Sequence, residues 1–340
     1  MLGGVKARGN KRLKCGNETD ETTRKEALKL INVFLNRVEK HKDILLSDEK
    51  SPFDVYINDL SKFIEYLRIE MSEGGNEKVS EARNAMLRIA EIMLKLSRKA
   101  RKRWLKLYKV ELEELIVKLT KGEMTIPVTG DINNKNRSFI VHMYTNHIAI
   151  NACRIARNGN ITVKFTFTGL KGEHIESPKL FNDSILKAMQ YGLLLTDGSI
   201  YQGYPGMATH QMWQSIVWHL VFPGKNYIAI DGISINDNIS TVWQLTSLNY
   251  KFEGKSAVNI KRGFVGGEVV GFDDWLFLWF LLFAVFGDGN VDVQDEYDVR
   301  EIRLFMGGGK YVLWRPIIER LSGLGFRGGG EYGWEWVVRG

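Results

Sequence analysis

Two carboxylates, Asp197 and Asp288, stand 91 positions apart at the ends of two segments of the same build. The first reads Gln190-Tyr191-Gly192-Leu193-Leu194-Leu195-Thr196-Asp197-Gly198 and runs on into Ser199-Ile200. The second reads Leu281-Leu282-Phe283-Ala284-Val285-Phe286-Gly287-Asp288-Gly289 and runs on into Asn290-Val291. Each is a dense apolar helix that breaks at an Asp-Gly corner. One such helix means little, because Gly is the usual residue just past a helix end and a neighbouring Asp often belongs to the turn. Two carry more: if the helices pack side by side, their carboxylates meet at one spot. That is the arrangement that binds divalent cations for phosphodiester hydrolysis.

Both segments resemble the nine-residue motif of the LAGLIDADG homing endonucleases, in the single-chain, stand-alone archaeal form that carries two copies. The first keeps Gly192 at the third position and Asp197-Gly198 at the end; the second keeps Gly287, Asp288 and Gly289 but has Phe283 at the third position. The resemblance covers residues 178–340, about half of the chain. It implies an α+β fold in which a pseudo-two-fold αββαββ domain lays saddle-like antiparallel sheets along duplex DNA. Gly192, Thr196, Ala284 and Gly287 are expected in the seam between the helices, with Phe283 turned away or accommodated by a local shift.

The implied activity is Mg²⁺-dependent, site-specific double-strand cleavage by a monomer. A DNA-binding regulator or RNA maturase on the same fold, without cleavage, is the alternative, so RNA is a second possible partner. Asp197 and Asp288 take the metal role, with Gly198 and Gly289 at the same corners. Lys255, Lys261 and Lys310 follow the strand regions that would border the site and are the candidate basic assistants. Base-reading candidates on the strands and turns are Tyr201, Gln202, Asn236, Asn238, Gln244, Arg300, Arg303 and Arg327.

Other motifs fail on their own residues. Asp288-Gly289-Asn290-Val291-Asp292 opens like a calcium loop but has Val293 where glycine is needed and Val299 where the bidentate Glu is needed. Gly307-Gly308-Gly309-Lys310 lacks the first glycine and the hydroxyl of a phosphate-binding loop. His142 and His147 are spaced for opposite faces of a strand, and His210 and His219 read as core or surface residues rather than members of a triad.

The elements around these motifs follow from periodicity and punctuation. Residues 1–20 read as a disordered basic tail. Residues 21–124 read as a basic helical domain: a helix with Ala27, Leu30, Ile31, Phe34 and Val38 on one face, a second opening at Ser51-Pro52, and a third running from Glu77 to Tyr108 or beyond. Residues 125–177 read as a small β region with strands at 138–144 and 161–167. The first motif half spans 178–271, with helix 210–222 and strands 227–235 and 239–248. The second, abbreviated, spans 272–340.

The formal net charge is +7, and residues 1–120 hold all of it, with 26 Lys and Arg against 19 Asp and Glu. Within the third helix Lys95, Arg98, Lys99, Arg101, Lys102, Arg103, Lys106 and Lys109 put eight cations in fifteen residues. Such a block repels itself unless a polyanion neutralises it, so Arg98, Lys99, Arg101, Lys102 and Arg103 are nucleic-acid candidates. Cys15 and Cys153 are the only cysteines, which suits a reducing cytoplasm. The longest apolar run, Trp275 to Phe286, is twelve residues, below the roughly 18 needed to span a bilayer.

Overall fold

The computed structural model of the chain describes residues 5–8, 20–74, 76–130, 138–156, 159–253, 257–294, 299–305, 314–328 and 333–339. It is a mixed α+β protein with two compact units. Unit 1 comprises Met1–Tyr66, Ala90–Gly172 and Ala229–Trp243, and unit 2 comprises Leu67–Ile89, Glu173–Ile228 and Gln244–Gly340. Among the described residues no helix is long and apolar enough to cross a membrane.

Unit 1 begins with strand β1 (Val5–Arg8), paired in parallel with β2 (Ile126–Thr129). A strand therefore lies inside the stretch read from sequence as an unstructured tail. Helix α1 (Glu21–Lys40) is capped by Asp20, whose carboxylate accepts the Thr23 amide at 2.8 Å. Its buried face is Ala27, Leu30, Ile31, Phe34 and Val38, and the Phe34 ring meets Phe165 edge-on at 6.0 Å. That contact belongs to strand β5 (Ile161–Phe167), which follows β3 (Phe139–Tyr144) and β4 (Ile148–Arg154) in an antiparallel run. The short helix α2 (Lys42–Leu45) leads to α3 (Asp54–Ser72) and α4 (Glu77–Arg103). The long third helix expected from sequence continues through a π-helical turn, Trp104–Tyr108, into α5 (Lys109–Lys121), which stops at Gly122 with φ 70°.

An aromatic cluster fixes helices to strands within this unit: Phe167 stacks on Tyr108 at 4.6 Å and takes Trp104 edge-on at 5.8 Å and Phe53 at 6.2 Å. Boundaries at 21–124 and 125–177 consequently do not separate two domains. Helix α1 buries its apolar face on β3, β4 and β5, because a one-sided antiparallel sheet and a one-sided helix each need such a cover. The helical region, expected as a hairpin or three-helix bundle, keeps α3 and α4 as an antiparallel hairpin, tied by Asp54–Arg101 and Glu70–Arg83, while α1 packs on the strands.

Unit 2 holds β6 (Glu173–Ser177), α6 (Asp183–Leu195), β7 (Ser199–Tyr201), β8 (Tyr204–Thr209), α7 (Met212–Val221), and parts of β9 (Gly224–Ile235) and β10 (Ile239–Ser247). Then come α8 (Ala257–Gly263), α9 (Asp274–Asp288), β11 (Gly289–Gln294), β12 (Val299–Phe305), α10 (Ile318–Gly323), β13 (Arg327–Gly328) and β14 (Gly333–Arg339). From α6 and from α9 alike the order is helix, two strands, helix, two strands. The sheet orders agree too: β7-β8-β10-β9 and β11-β12-β14-β13, that is, first, second, fourth, third. The second half is short in its elements, β13 having two residues, but it keeps the element order and the strand order of the first.

Helix α7 carries one costly core residue. His219 is fully buried, among the described residues neither ring nitrogen has a hydrogen-bond partner, and burial pushes its imidazole down to about 3. The unfolded chain, with an ordinary pKa of about 6.5, binds a proton first as pH falls, so stability is full above that value and declines toward pH 3. Between pH 7 and pH 5 the His219 contribution is a loss of about 2 kcal/mol. Chemical denaturation at both pH values, on the wild type and on His219→Leu, should show a smaller acid-side loss in the variant; equal losses would contradict the assignment.

Candidate active site

Helices α6 and α9 are the most extensively packed pair in unit 2, and small residues set their approach. A methyl group built on Gly192 would come within 2.4 Å of the Phe280 carbonyl oxygen, 2.8 Å of the Ala284 amide nitrogen and 2.9 Å of Phe283 Cβ. One built on Gly287 would meet Thr196 Oγ1 at 1.9 Å and the Asp197 amide nitrogen at 3.3 Å. Gly192 thus faces 280–284 while Thr196, four residues on, faces 287. Both chains advance the same way, so the helices are parallel neighbours and Asp197 and Asp288 leave the seam at the same end. Gly192, Thr196, Ala284 and Gly287 all line it. Phe283 does not force the helices apart, because its Cβ lies over Gly192 and its ring runs along its own helix, 6.4 Å from Trp279 and 5.3 Å from Phe286.

Neither Asp-Gly corner uses its glycine as a left-handed cap. Gly289 has φ −103°, and Gly198 is not in the positive-φ region either. Their requirement is space: a Cβ on Gly198 would fall 2.7 Å from Leu194 Cα, and one on Gly289 would fall 2.4 Å from the Val285 carbonyl oxygen. The chain folds back tightly on each helix, and this sets the acid at the corner. Asp197 is exposed and Asp288 half-buried.

Two side chains from other elements reach the corners. Gln214 of α7, 3 % exposed, donates through Nε2 to Asp197 Oδ2 at 3.0 Å and to the Phe286 carbonyl at 2.9 Å. Its amide oxygen accepts from the Thr209 hydroxyl of β8. One buried amide therefore ties the first acid to the end of the second motif helix. Sequence reading missed it; the one available signal is a lone amide between Trp213 and Ser215 on a largely apolar helix. Replacing Gln214 by Leu leaves the Phe286 carbonyl and Asp197 Oδ2 without this donor and should lower stability by about 1–3 kcal/mol. Urea denaturation measures this, and an unchanged midpoint would deny Gln214 the bridging role.

Lys261, near the end of α8, donates to the Gly198 carbonyl at 2.8 Å. An ammonium on that oxygen disfavours a cation at the same atom, so the Gly198 carbonyl fits a metal ligand less well than the Asp197 carboxylate does. The donor set of two carboxylates suits Mg²⁺, which keeps several waters and takes one or two carboxylates together with substrate phosphate. Among the described residues no cluster of three or more His, Cys, Asp or Glu forms a protein-only metal cage.

The remaining candidates divide. Tyr201, 74 % exposed, and Gln202, with φ 52°, form the β7–β8 hairpin that follows Asp197 directly. Gln244 is half-buried on β10. Arg300 and Arg303 lie on β12, in the hairpin that follows Asp288, and Arg303 and Arg327 are both in register with Glu335 of β14. The side chains of Arg303 and Arg327 are exposed. Asn236 and Asn238 belong to unit 1, where the Asn236 amide bonds the Asn238 carbonyl at 3.0 Å and its side-chain oxygen accepts from Arg37 at 3.2 Å. They hold a turn in that unit. Lys255, Lys310 and Gly307–Gly309 lie outside the described residues.

Two histidines in unit 1 have structural partners: His142 of β3 bonds Thr129 Oγ1 and Asn151 Oδ1, and His147, in the bend before β4, bonds Glu111. The cationic stretch is relieved in part by acids distant in sequence. Arg101 Nε donates to Asp54 at 2.6 Å, and Lys109 pairs with Asp48.

Comparison of the chain with protein-family profiles, with curated proteins and with solved structures finds no match.

Proposed function

We propose that the protein is a LAGLIDADG-type, Mg²⁺-dependent endonuclease that cuts both strands of duplex DNA at a specific site. The observation that carries this reading is the parallel α6–α9 seam, closed by Gly192 and Gly287, which brings Asp197 and Asp288 out at the same end. The repeated strand order in the two halves supports it, since a duplicated half-domain is what such a two-motif protein needs.

In this reading the Asp197 and Asp288 carboxylates would hold Mg²⁺, which would supply charge neutralisation at the scissile phosphate and activation of the attacking water. Gln214 steadies Asp197 by donating to its Oδ2. Lys261 brings positive charge to the same corner, where it can stabilise the oxyanion that develops as the phosphodiester bond breaks. The hairpins β7–β8 and β11–β12, one after each acid, carry Tyr201, Gln202, Arg300 and Arg303 for contact with base edges and phosphates.

Incubation of the protein with a randomised duplex library, with and without Mg²⁺, followed by sequencing of new ends, tests the reading. Reproducible metal-dependent ends are expected. Sequence-selective binding with no ends would replace the enzyme by a DNA-binding regulator.

A further inference from the structure

The cationic stretch of α4 is not one uniform face. Arg101 is committed to Asp54 and, through Nη2, to the Glu49 carbonyl at 2.6 Å, while Lys109 is buried against Asp48 and Glu113. Lys99, Lys102 and Lys106 remain exposed, and with Arg103 and Leu107 they line a single open cleft of about 380 Å³. Positions 99, 102, 103 and 106 recur at helical spacing and so share one helix face. Among the described residues none of these four cations pairs with a carboxylate, although four like charges on one face repel.

The cleft coincides with a local irregularity. The π-helical turn Trp104–Tyr108 follows Arg103 directly, and it buries Trp104 and Tyr108 completely. Such bulges are rare and occur often at functional sites. Here the bulge helps to fix Arg103: its guanidinium lies 5.7 Å from the centre of the Tyr108 ring and against Gly169, where a methyl group would come within 2.4 Å of Nη2. Tyr108 is itself tied by its hydroxyl to the Thr168 carbonyl at 2.8 Å. Arg103 is thus positioned by a ring and a backbone instead of by an acid, and its charge is left for a ligand. Leu107 and the lysine stems give the cleft an apolar floor under a charged rim.

We infer that this cleft seats consecutive phosphates of a nucleic-acid backbone, with duplex DNA as the occupant. The inference rests on the DNA-directed reading above and adds to it a second, sequence-independent contact region in unit 1. Arg103 presents a planar, fixed donor fork to one phosphate, and Lys99, Lys102 and Lys106 act as point charges along the strand. Contacts of this kind raise affinity for all sequences alike and make it steeply dependent on salt.

The test uses the full chain, a labelled 20-base-pair duplex of arbitrary sequence, and EDTA, so that no hydrolysis is read. Affinity is measured by anisotropy across a salt series for the wild type, for the triple variant Lys99→Gln, Lys102→Gln, Lys106→Gln, and for the same three positions changed to Arg. The Gln variant should bind at least about tenfold more weakly at low salt and show a log–log salt slope smaller by about 2.7, about 0.9 for each lost contact. The Arg variant, which keeps the charge, should retain the wild-type slope and controls for folding. An unchanged slope in the Gln variant overturns the proposal. So does binding to phosphatidylserine vesicles that depends on these lysines while the DNA slope does not, which would assign the cleft to a membrane surface. Failure of cleavage in Mg²⁺ with the slope change intact would count against the enzyme reading alone.

Discussion

Changing Asp197 or Asp288 to Asn should lower cleavage about a thousandfold while leaving DNA affinity equal or higher. A metal-held carboxylate contributes several kcal/mol of charge stabilisation at a phosphoryl centre, and about 4 kcal/mol corresponds to three decades in rate. Affinity moves the other way because, without metal, a carboxylate at a corner facing phosphate repels it. Asn keeps the shape of Asp197 and can still meet Gln214 at Oδ2's position, so the fold should survive. The decisive comparison is cutting rate against binding affinity on one duplex carrying the cleaved site. A variant that cuts at the wild-type rate would remove its acid from the metal role, and one that loses affinity and cutting together would point to structure instead of chemistry.

Gly192→Ala is expected to be among the most damaging single-methyl changes in unit 2. In an ordinary helix interior this substitution gains about 1 kcal/mol from propensity. Here the added carbon would lie 2.4 Å from a carbonyl oxygen and 2.8 Å from an amide nitrogen of α9, both backbone atoms that move only if the whole helix moves. Overpacking of this kind costs about 1–3 kcal/mol and sometimes more, so, with backbone atoms as the clashing partners, a net loss of about 1–2 kcal/mol should remain. Because the seam also sets where the two corners emerge, cleavage should fall more than stability alone explains. Gly266→Ala is the control, since nothing lies within 4 Å of a methyl there. Thermal unfolding of the two variants should separate them, and a Gly192→Ala protein as stable as the wild type would show that the helices are not held at this distance by that glycine.

The fate of Phe283 shows why the first copy of the motif needs its glycine more than the second does. At a crossing of two parallel helices only one side of each contact has to be small. Gly192 supplies that side against Phe283 and Ala284, and Gly287 supplies it against Thr196. The departure of the second copy from the motif is therefore compatible with close approach, with the large ring displaced along α9 toward Trp279 and Phe286.

What the sequence determined by itself is local in origin. The two apolar runs ending in Asp-Gly, the α1 face at Ala27, Leu30, Ile31, Phe34 and Val38, the turn at Asn236–Asn238 and the order of elements after each motif are set by periodicity and turn chemistry within about twenty residues, and the folded chain keeps them. The tertiary structure decided everything that depends on which surfaces meet. It placed α1 and α5 with the strands of unit 1 instead of in a separate bundle, because those strands offered the apolar cover. It brought Gln214 from α7 to Asp197 and Lys261 from α8 to Gly198, over separations of 17 and 63 residues that no periodicity encodes. It also sorted the cations of one helix into those held by Asp54 and Asp48 and those facing an open cleft. Charge and spacing along a chain fix what a residue can do; only the packed neighbours fix what it is left free to do.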